Sequence, residues 1–405
     1  MACMRHCPAQ AIRIKNNKAV IAEEICVDCG ACLSNCLSNA IVPITELVSE
    51  ISHCKYKVVV PSSALYSQFE SSIHPFIIHQ AFKKLGFDEV VDVSLTDDML
   101  SRAYVIYMNR NRDQIPLISS NCPSIIRLIQ VKYPDLVELI VPLNVPREIT
   151  AKEVRINLQK KLGLKPEDIG IIYVSPCPAK IVSIKQPAEK AQSAFDGAVS
   201  IKEVCSALIP QVVALREVFD PADVPPDFHF SAGWAVLGSM TRGGQMQSWI
   251  SVSGMDHVMK ILDDIENSRL RNVEFVEALS CMMGCVGGTF NVENPYVARC
   301  NSIRQGSKYD SGSKISDAEI EKQLDDGTFD LESPVLPRPT KYFDTDLETS
   351  IKRMREKERV YQKLRQIDCG CCGAPTCMAF AEDFARGETK LTDCIFLAPL
   401  LSEEK

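Results

Sequence analysis

Cys26, Cys29, Cys32 and Cys36 form a CxxCxxCxxxC run, and no other feature so narrows what this chain can fold into. The surrounding segment, residues 1–47, is dense in cysteine and short of long periodic stretches. In all, the 405 residues include 18 cysteines and six histidines, and the histidines show neither HxxxH nor HxH spacing. Thiolate is therefore the main ligand type. The sequence has no apolar run of 18 residues and no charged-then-apolar leader, so a cytoplasmic protein without a membrane partner is expected. Reducing cytosol shifts cysteine from disulfides toward metal ligation, and thiolate without imidazole favours iron–sulfur chemistry over an open zinc site. A net charge of −7 with no basic stripe argues against a nucleic-acid partner.

Beyond residue 47 the text changes character. From Cys54 to Cys300, strand-like runs ("KYKVVVPSS", "EVVDVSL", "IPLISS", "IGIIYVSP", "NVEFVEAL") alternate with helical ones. Two of the helical runs are "IIRLIQVKY" and "TAKEVRINLQKKLG", the second read as capped by Thr150. This order implies βαβ units and a largely parallel sheet. Residues 301–340 are polar, and then Leu347, Ile351, Met354, Tyr361 and Leu364 fall on one helical stripe with charges between them. The expected division is 1–47, an iron–sulfur unit; 48–340, an α/β core; and 341–405, a helical iron–sulfur unit.

The N-terminal run has the arrangement of bacterial-type ferredoxins, in which the fourth cysteine of each run ligates the other run's cluster. Upstream, "MACMRHCP" supplies Cys3 and Cys7 at the spacing of a third and fourth cysteine. Cys7 then completes a [4Fe-4S] cube with Cys26, Cys29 and Cys32. A second cube has only Cys3 and Cys36, because the first two cysteines of its run would lie before Met1, so it is expected to be broken or absent. At the other end, Cys369, Cys372, Cys377 and Cys394 are read as ligands of a C-terminal [4Fe-4S] cluster, with Cys371 left over. Structural zinc is the competing reading for both groups. Cys122, Cys177, Cys281 and Cys285 share no local motif, but each follows the carboxyl end of an expected strand, where loops of a parallel sheet converge. Cys281 and Cys285, at i and i+4, would share a helix face.

In these loops the chain resembles the iron-only ([FeFe]) hydrogenase family. The family's signatures run roughly TSCCP, MPCxxK and ExMxCxxGCxxGGG; here "SSNCP" (119–123), "SPCPAK" (175–180) and "EALSCMMGCVGGT" (277–289) occur in that order. The resemblance implies a two-lobed core of mostly parallel sheets. It implies that Cys122, Cys177, Cys281 and Cys285 bind a cube, with Cys285 bridging to a two-iron subsite that carries CO, cyanide and a dithiolate. Together these make the H-cluster, which maturation proteins insert. Gly284, Gly287 and Gly288 would keep its surroundings clear, Pro146 is matched near it, and Lys180 would donate to a cyanide. "GGQM" at residues 243–246 matches a further family segment near the cofactor.

The departures concern protons. Asn121 stands where the family has a relay cysteine, and an amide does not take up and release a proton near neutral pH. Ser175 and Leu279 replace methionines, Ser183 replaces a glutamate, Val145 and Arg147 flank Pro146 where the family has SPQ, and Asp98 and Ser101 stand at the two relay-glutamate positions. Changes of this kind tune a cofactor more than they abolish its binding. The resemblance thus implies a slow hydrogenase that senses H2 and passes electrons to a ferredoxin or another redox protein, or signals to a kinase or phosphatase. Two alternatives stand beside it: an ordinary ferredoxin-linked hydrogenase with a proton path through Asp98, and a non-catalytic iron–sulfur protein without the diiron subsite. Cys54, Cys205 and Cys300 are read as incidental thiols, and His6 as packing beside Cys7.

Overall fold

The computed structural model describes residues 1–45, 54–187, 190–240, 248–311, 315–338 and 346–399. The "GGQM" segment lies outside them, as do residues 46–53 and 339–345, where the expected unit boundaries fall. Nine strands form three sheets among the described residues. β1 (Ile12–Lys15) and β2 (Lys18–Ile21) make an antiparallel hairpin. β3 (Tyr56–Pro61), β4 (Glu89–Val90), β5 (Leu117–Ile118), β6 (Ile169–Ser175), β7 (Gly197–Ser200), β8 (Trp249–Ser253) and β9 (Phe275–Leu279) follow. They assemble as two all-parallel sheets, ordered β4-β3-β6-β7 and β5-β9-β8. The α/β class with parallel strands expected from the alternation is observed, and its division into two sheets is what the resemblance implies.

Both sheets are covered on both faces, which is why their strands read as near-continuous apolar runs. All seven residues of β6 are buried. Val59, Ile172 and Val174 pack toward the helices Pro75–Lys84 and Ile201–Val218, while Val58, Val60, Ile171 and Tyr173 face the helices Pro146–Leu162 and Pro178–Lys185. That two-residue alternation is the pleat of a strand. In the second sheet, Ile118, Val276 and Ala278 meet the helices Pro123–Lys132 and Met255–Glu266, and Leu117 and Phe275 lie against Leu100, Tyr104 and Phe329.

Several local expectations are corrected. The run "EVVDVSL" is strand only over β4, because Asp92 Oδ1 accepts the Ser94 backbone N–H (2.8 Å) and the helix Ser94–Arg110 begins there. β7 and β8 were not anticipated. Thr150 does not cap its helix: the element starts at Pro146, a residue suited to a first helical turn, and the buried Thr150 hydroxyl pairs with Thr96 at 2.8 Å. The stripe on the helix Leu347–Lys363 is buried only toward its far end, at Val360 and Leu364, while Leu347, Ile351 and Met354 face solvent. No helix among the described residues is long and apolar enough to cross a membrane.

Candidate metal centre

The centre is assembled where strands of both sheets end. β5 leads into Cys122 and β6 into Cys177, and each cysteine is the N-cap residue of the helix that follows, with proline at the first helical position. Each thiol thus sits at the start of a helix. β9 leads into Cys281 and Cys285. Burial raises the pKa of Cys177 and of Cys281, and each of these thiols lies within electrostatic reach of the other three central cysteines or of their partners. The Ser280 hydroxyl lies 3.6 Å from both Cys122 Sγ and Cys281 Sγ. The four thiols, from distant parts of the chain, thus lie in one electrostatic neighbourhood.

The segment between Cys281 and Cys285 is a turn rather than the expected helix, since Met283 and Gly284 have φ of 64° and 96°. The glycines serve backbone approach. A Cβ on Gly287 would sit 2.0 Å from the Met282 carbonyl oxygen, one on Gly288 2.4 Å from the Pro176 oxygen, and one on Gly284 2.7 Å from the Leu237 nitrogen. Tight threading of these loops, rather than clearance around a ligand, is what the geometry demands of them.

Beside Cys285 lies a pocket whose wall includes Lys180, Asn121, Pro146, Arg147, Asp97 and Ser63, closed by Tyr173 and Trp234. Lys180 is buried and its Nζ donates to Cys285 Sγ at 3.1 Å. Burial alone would lower the lysine's pKa, but the neighbouring Cys285, Cys177 and Tyr173 outweigh it and hold the ammonium charged. Arg147 is equally buried; it donates to Ser183 Oγ (2.9 Å) while its Nε has no partner. So the two departures Arg147 and Ser183 touch each other. Of the adjacent carboxylates, Asp97 lines the pocket and Asp98 does not. Ser175 is folded back on its own loop, donating to the Cys177 carbonyl at 2.8 Å. Sequence reasoning missed Asp97, Ser63, Tyr173 and Trp234, none of which carries a local motif.

At the N-terminus, Cys7, Cys26, Cys29 and Cys32 lie within one another's fields, and burial followed by that repulsion raises Cys26 to about 11 and Cys29 to about 12. The Ala11 amide donates to Cys7 Sγ at 3.2 Å. Cys3 lies in the field of Cys32, and the half-buried Cys36 Sγ has the Ala40 amide 3.2 Å away. This unit abuts the central one: Gly30 packs on Pro178 and Thr289, Asp28 pairs with Arg127, and Val27 and Cys29 join the apolar cluster that contains Cys122. Cys369, Cys372, Cys377 and Cys394 line a single cavity, from which Cys371 points away into solvent. Among the described residues no three His, Cys, Asp or Glu side chains converge closely enough for a single metal ion. An all-thiol donor set is the chemistry that iron–sulfur clusters take.

Residues 55–250, just under half of the chain, match the family described as the iron only hydrogenase large subunit, C-terminal domain, and residues 364–396 match a family described as "Putative Fe-S cluster". The first match ends before Cys281. Iron hydrogenase 1 of Clostridium pasteurianum is 22% identical over 206 residues, 49% of this chain and 35% of that protein. A "Probable cytosolic Fe-S cluster assembly factor" of Culex quinquefasciatus is 24% identical over 53% of this chain and 48% of its own length. The chain thus spans about a third to a half of these relatives. The fold is shared with a variant of [FeFe]-hydrogenase HydA1 from Chlamydomonas reinhardtii, at a TM-score of 0.52 and 14% identity over 71% of this chain and 95% of that one.

Proposed function

The chain has the core of the iron-only hydrogenase-like family, and from that premise we propose that it carries an H-cluster and works as a slow, H2-responsive redox protein of the cytoplasm. The observation that carries this reading is the pocket beside Cys285. It holds two buried cations, Lys180 and Arg147, one against the bridging thiol and the other with an unused N–H. Buried charge persists only where something compensates it, and the anionic cyanide-bearing subsite would do so. Cys122, Cys177, Cys281 and Cys285 would hold the cube, and Lys180 would hold the subsite. When bound, that group supplies the iron at which H2 is split heterolytically. Asn121 at the pocket wall offers an amide where an acid–base group would speed turnover, which fits a sensor better than a bulk catalyst.

Electrons would leave through the Cys7, Cys26, Cys29 and Cys32 site, packed against the Cys122 loop, and reach the Cys369, Cys372, Cys377 and Cys394 site beyond it. The three units 1–47, 48–340 and 341–405 then serve as intermediate, sensor and outlet. The outlet would meet a ferredoxin or a signalling kinase or phosphatase, and maturation proteins would load the subsite. Infrared spectra of protein matured with those factors test this. Metal-bound CO and cyanide bands are expected, with the cyanide bands displaced in Lys180→Met. Similarity to cluster assembly factors supports a second reading, in which the central cube stands without a diiron subsite; a spectrum without such bands would establish it.

A further inference from the structure

The pocket wall contains a single carboxylate among the described residues, and the reading above gives it no task. Asp97 sits in the first turn of the helix Ser94–Arg110, 4% exposed. Its Oδ2 accepts the Ser63 hydroxyl and the Trp234 backbone N–H, both at 3.1 Å. Gly233 admits this approach, since a Cβ there would lie 2.2 Å from Oδ2. Burial raises Asp97 to about 7; the two hydrogen bonds and the Lys180 charge pull the other way, and the Asp92 charge adds to the rise.

Asp92 lies near enough for its charge to act on Asp97. Its Oδ2 is enclosed and has no hydrogen-bond partner, and its Oδ1 takes the Ser94 amide. The groups facing it are the Tyr66 hydroxyl, Ser94 and His229. Ser94 Oγ lies 3.3 Å from His229 Nδ1, and His229 is half-buried, at the surface end of this series. Tyr66 in turn bonds His79 at 2.8 Å, a buried imidazole that burial keeps neutral. The positions that serve the family's own relay offer no such path. Asn121 is an amide, and Ser101 Oγ is held between the Trp234 indole N–H (2.7 Å) and the Asp97 carbonyl (2.9 Å).

We propose that Asp97 exchanges protons with the pocket and passes them by way of Asp92 and Ser94 to His229 at the surface. The proposal rests on the reading of the pocket as the place where H2 is split. Each H2 gives two protons and two electrons; the electrons go to the thiolate-bound clusters and only protons take this route. A proton leaving the pocket turns the Asp97 carboxylate into the acid. It then moves to the open oxygen of Asp92, restoring the Asp97 carboxylate, and passes through the Ser94 hydroxyl to the His229 ring. Lys180, Arg147, Tyr173 and Cys285 are the other charged or titratable groups at the pocket. None of them is an acid with a vacant oxygen.

The test uses matured full-length protein. In Asp97→Asn the CO and cyanide bands should stay in place while their H2-driven shift slows roughly a hundredfold, and Asp97→Glu should restore most of the rate. His229→Phe should slow the shift about tenfold, with recovery on adding imidazole to the buffer. Independently of loading, the infrared band of a protonated carboxyl that titrates near neutrality in the cofactor-free chain should vanish in Asp97→Asn. Persistence of that band, or an unaltered shift in Asp97→Asn, overturns the route alone. Absence of CO and cyanide bands from wild-type protein overturns the underlying reading and the route with it. Should Asp97→Asn fail to load, Asp92→Asn and His229→Phe, outside the pocket, decide: wild-type rates in both overturn the proposal.

Discussion

The terminal and central cysteine groups reach similar donor sets by opposite means. At the N-terminus the thiols are local, strung along elements as short as the four-residue helices Ala2–Arg5 and Ala31–Ser34. Such elements cannot hold themselves, because one helical turn costs more order than its bonds return. In the centre the thiols come from loops far apart in sequence, each placed by a buried parallel sheet with its own apolar cluster. A cluster in the terminal units is therefore part of their folding, whereas in the centre the fold precedes it. Stripping iron with a chelator is the largest perturbation that separates them. Hydrogen exchange should lose protection throughout residues 1–45 and 364–399, while β3 and β6 keep theirs. If β6 opens along with the hairpin β1–β2, the distinction is wrong.

The same contrast governs what could be read in advance. The terminal cysteine groups stand out by spacing, and β3, β6 and β9 by apolar runs, since local sequence encodes local structure. β7, four residues beginning at Gly197, carries too little pattern to be seen. Placing the central cysteines needed the rule that loops meet at the carboxyl ends of parallel strands, together with a resemblance. Side-chain direction was beyond either. Asp97 and Asp98 differ by about 100° around one helix, and that helix begins where Asp92 ties down Ser94, a detail of cap geometry. The turn at Met283–Gly284 was likewise hidden, because i, i+4 spacing says nothing of a positive φ between the two positions. The glycines of "GCVGG" were visible, but the carbonyls they pack against lie in the next turn and on another loop.

A smaller test works inside the central unit. Both tryptophans, Trp234 and Trp249, lie there, so their fluorescence reports its unfolding apart from the terminal units. Burial raises Asp97 from 3.8 to about 7 and depresses His79 from 6.5 to about 3. For Asp97 the folded state holds the proton more tightly, so its stabilising contribution is full below pH 3.8 and is lost as pH rises through 7. His79 has the reverse sense: its contribution is full above pH 6.5 and is lost as pH falls toward 3. Across pH 4 to 6.5 the two slopes oppose, each worth up to about 4 kcal/mol, and the wild-type profile should be shallow. Denaturant titrations should show His79→Gln gaining stability on acidification over that window and Asp97→Asn losing it. Profiles for both variants parallel to wild type would break the assignment.

The smallest effect concerns the contact between the two terminal units, and it asks whether they behave as one body. Arg13 on β1 reaches Asp383 on the helix Cys377–Ala385 through two bonds, Nε to Oδ2 at 2.5 Å and a terminal nitrogen to Oδ1 at 3.0 Å. The two side chains are 12% and 7% exposed. Around them the Ile14 amide donates to the Gly373 carbonyl at 2.8 Å, and a Cβ on Gly373 would lie 2.1 Å from the Ile14 oxygen, so backbone meets backbone. Removing the cation alone strands an enclosed carboxylate, at a cost on the order of 3 kcal/mol, whereas replacing both partners with apolar groups leaves no charge to strand. Arg13→Met should therefore speed hydrogen exchange across Cys377–Ala385 and leave the tryptophan-reported unfolding of the central sheets where it was. The double variant Arg13→Met/Asp383→Leu should recover most of the protection. If the single variant instead shifts the central midpoint, the C-terminal unit is braced by the whole molecule, and the division between locally and globally built sites fails at this contact.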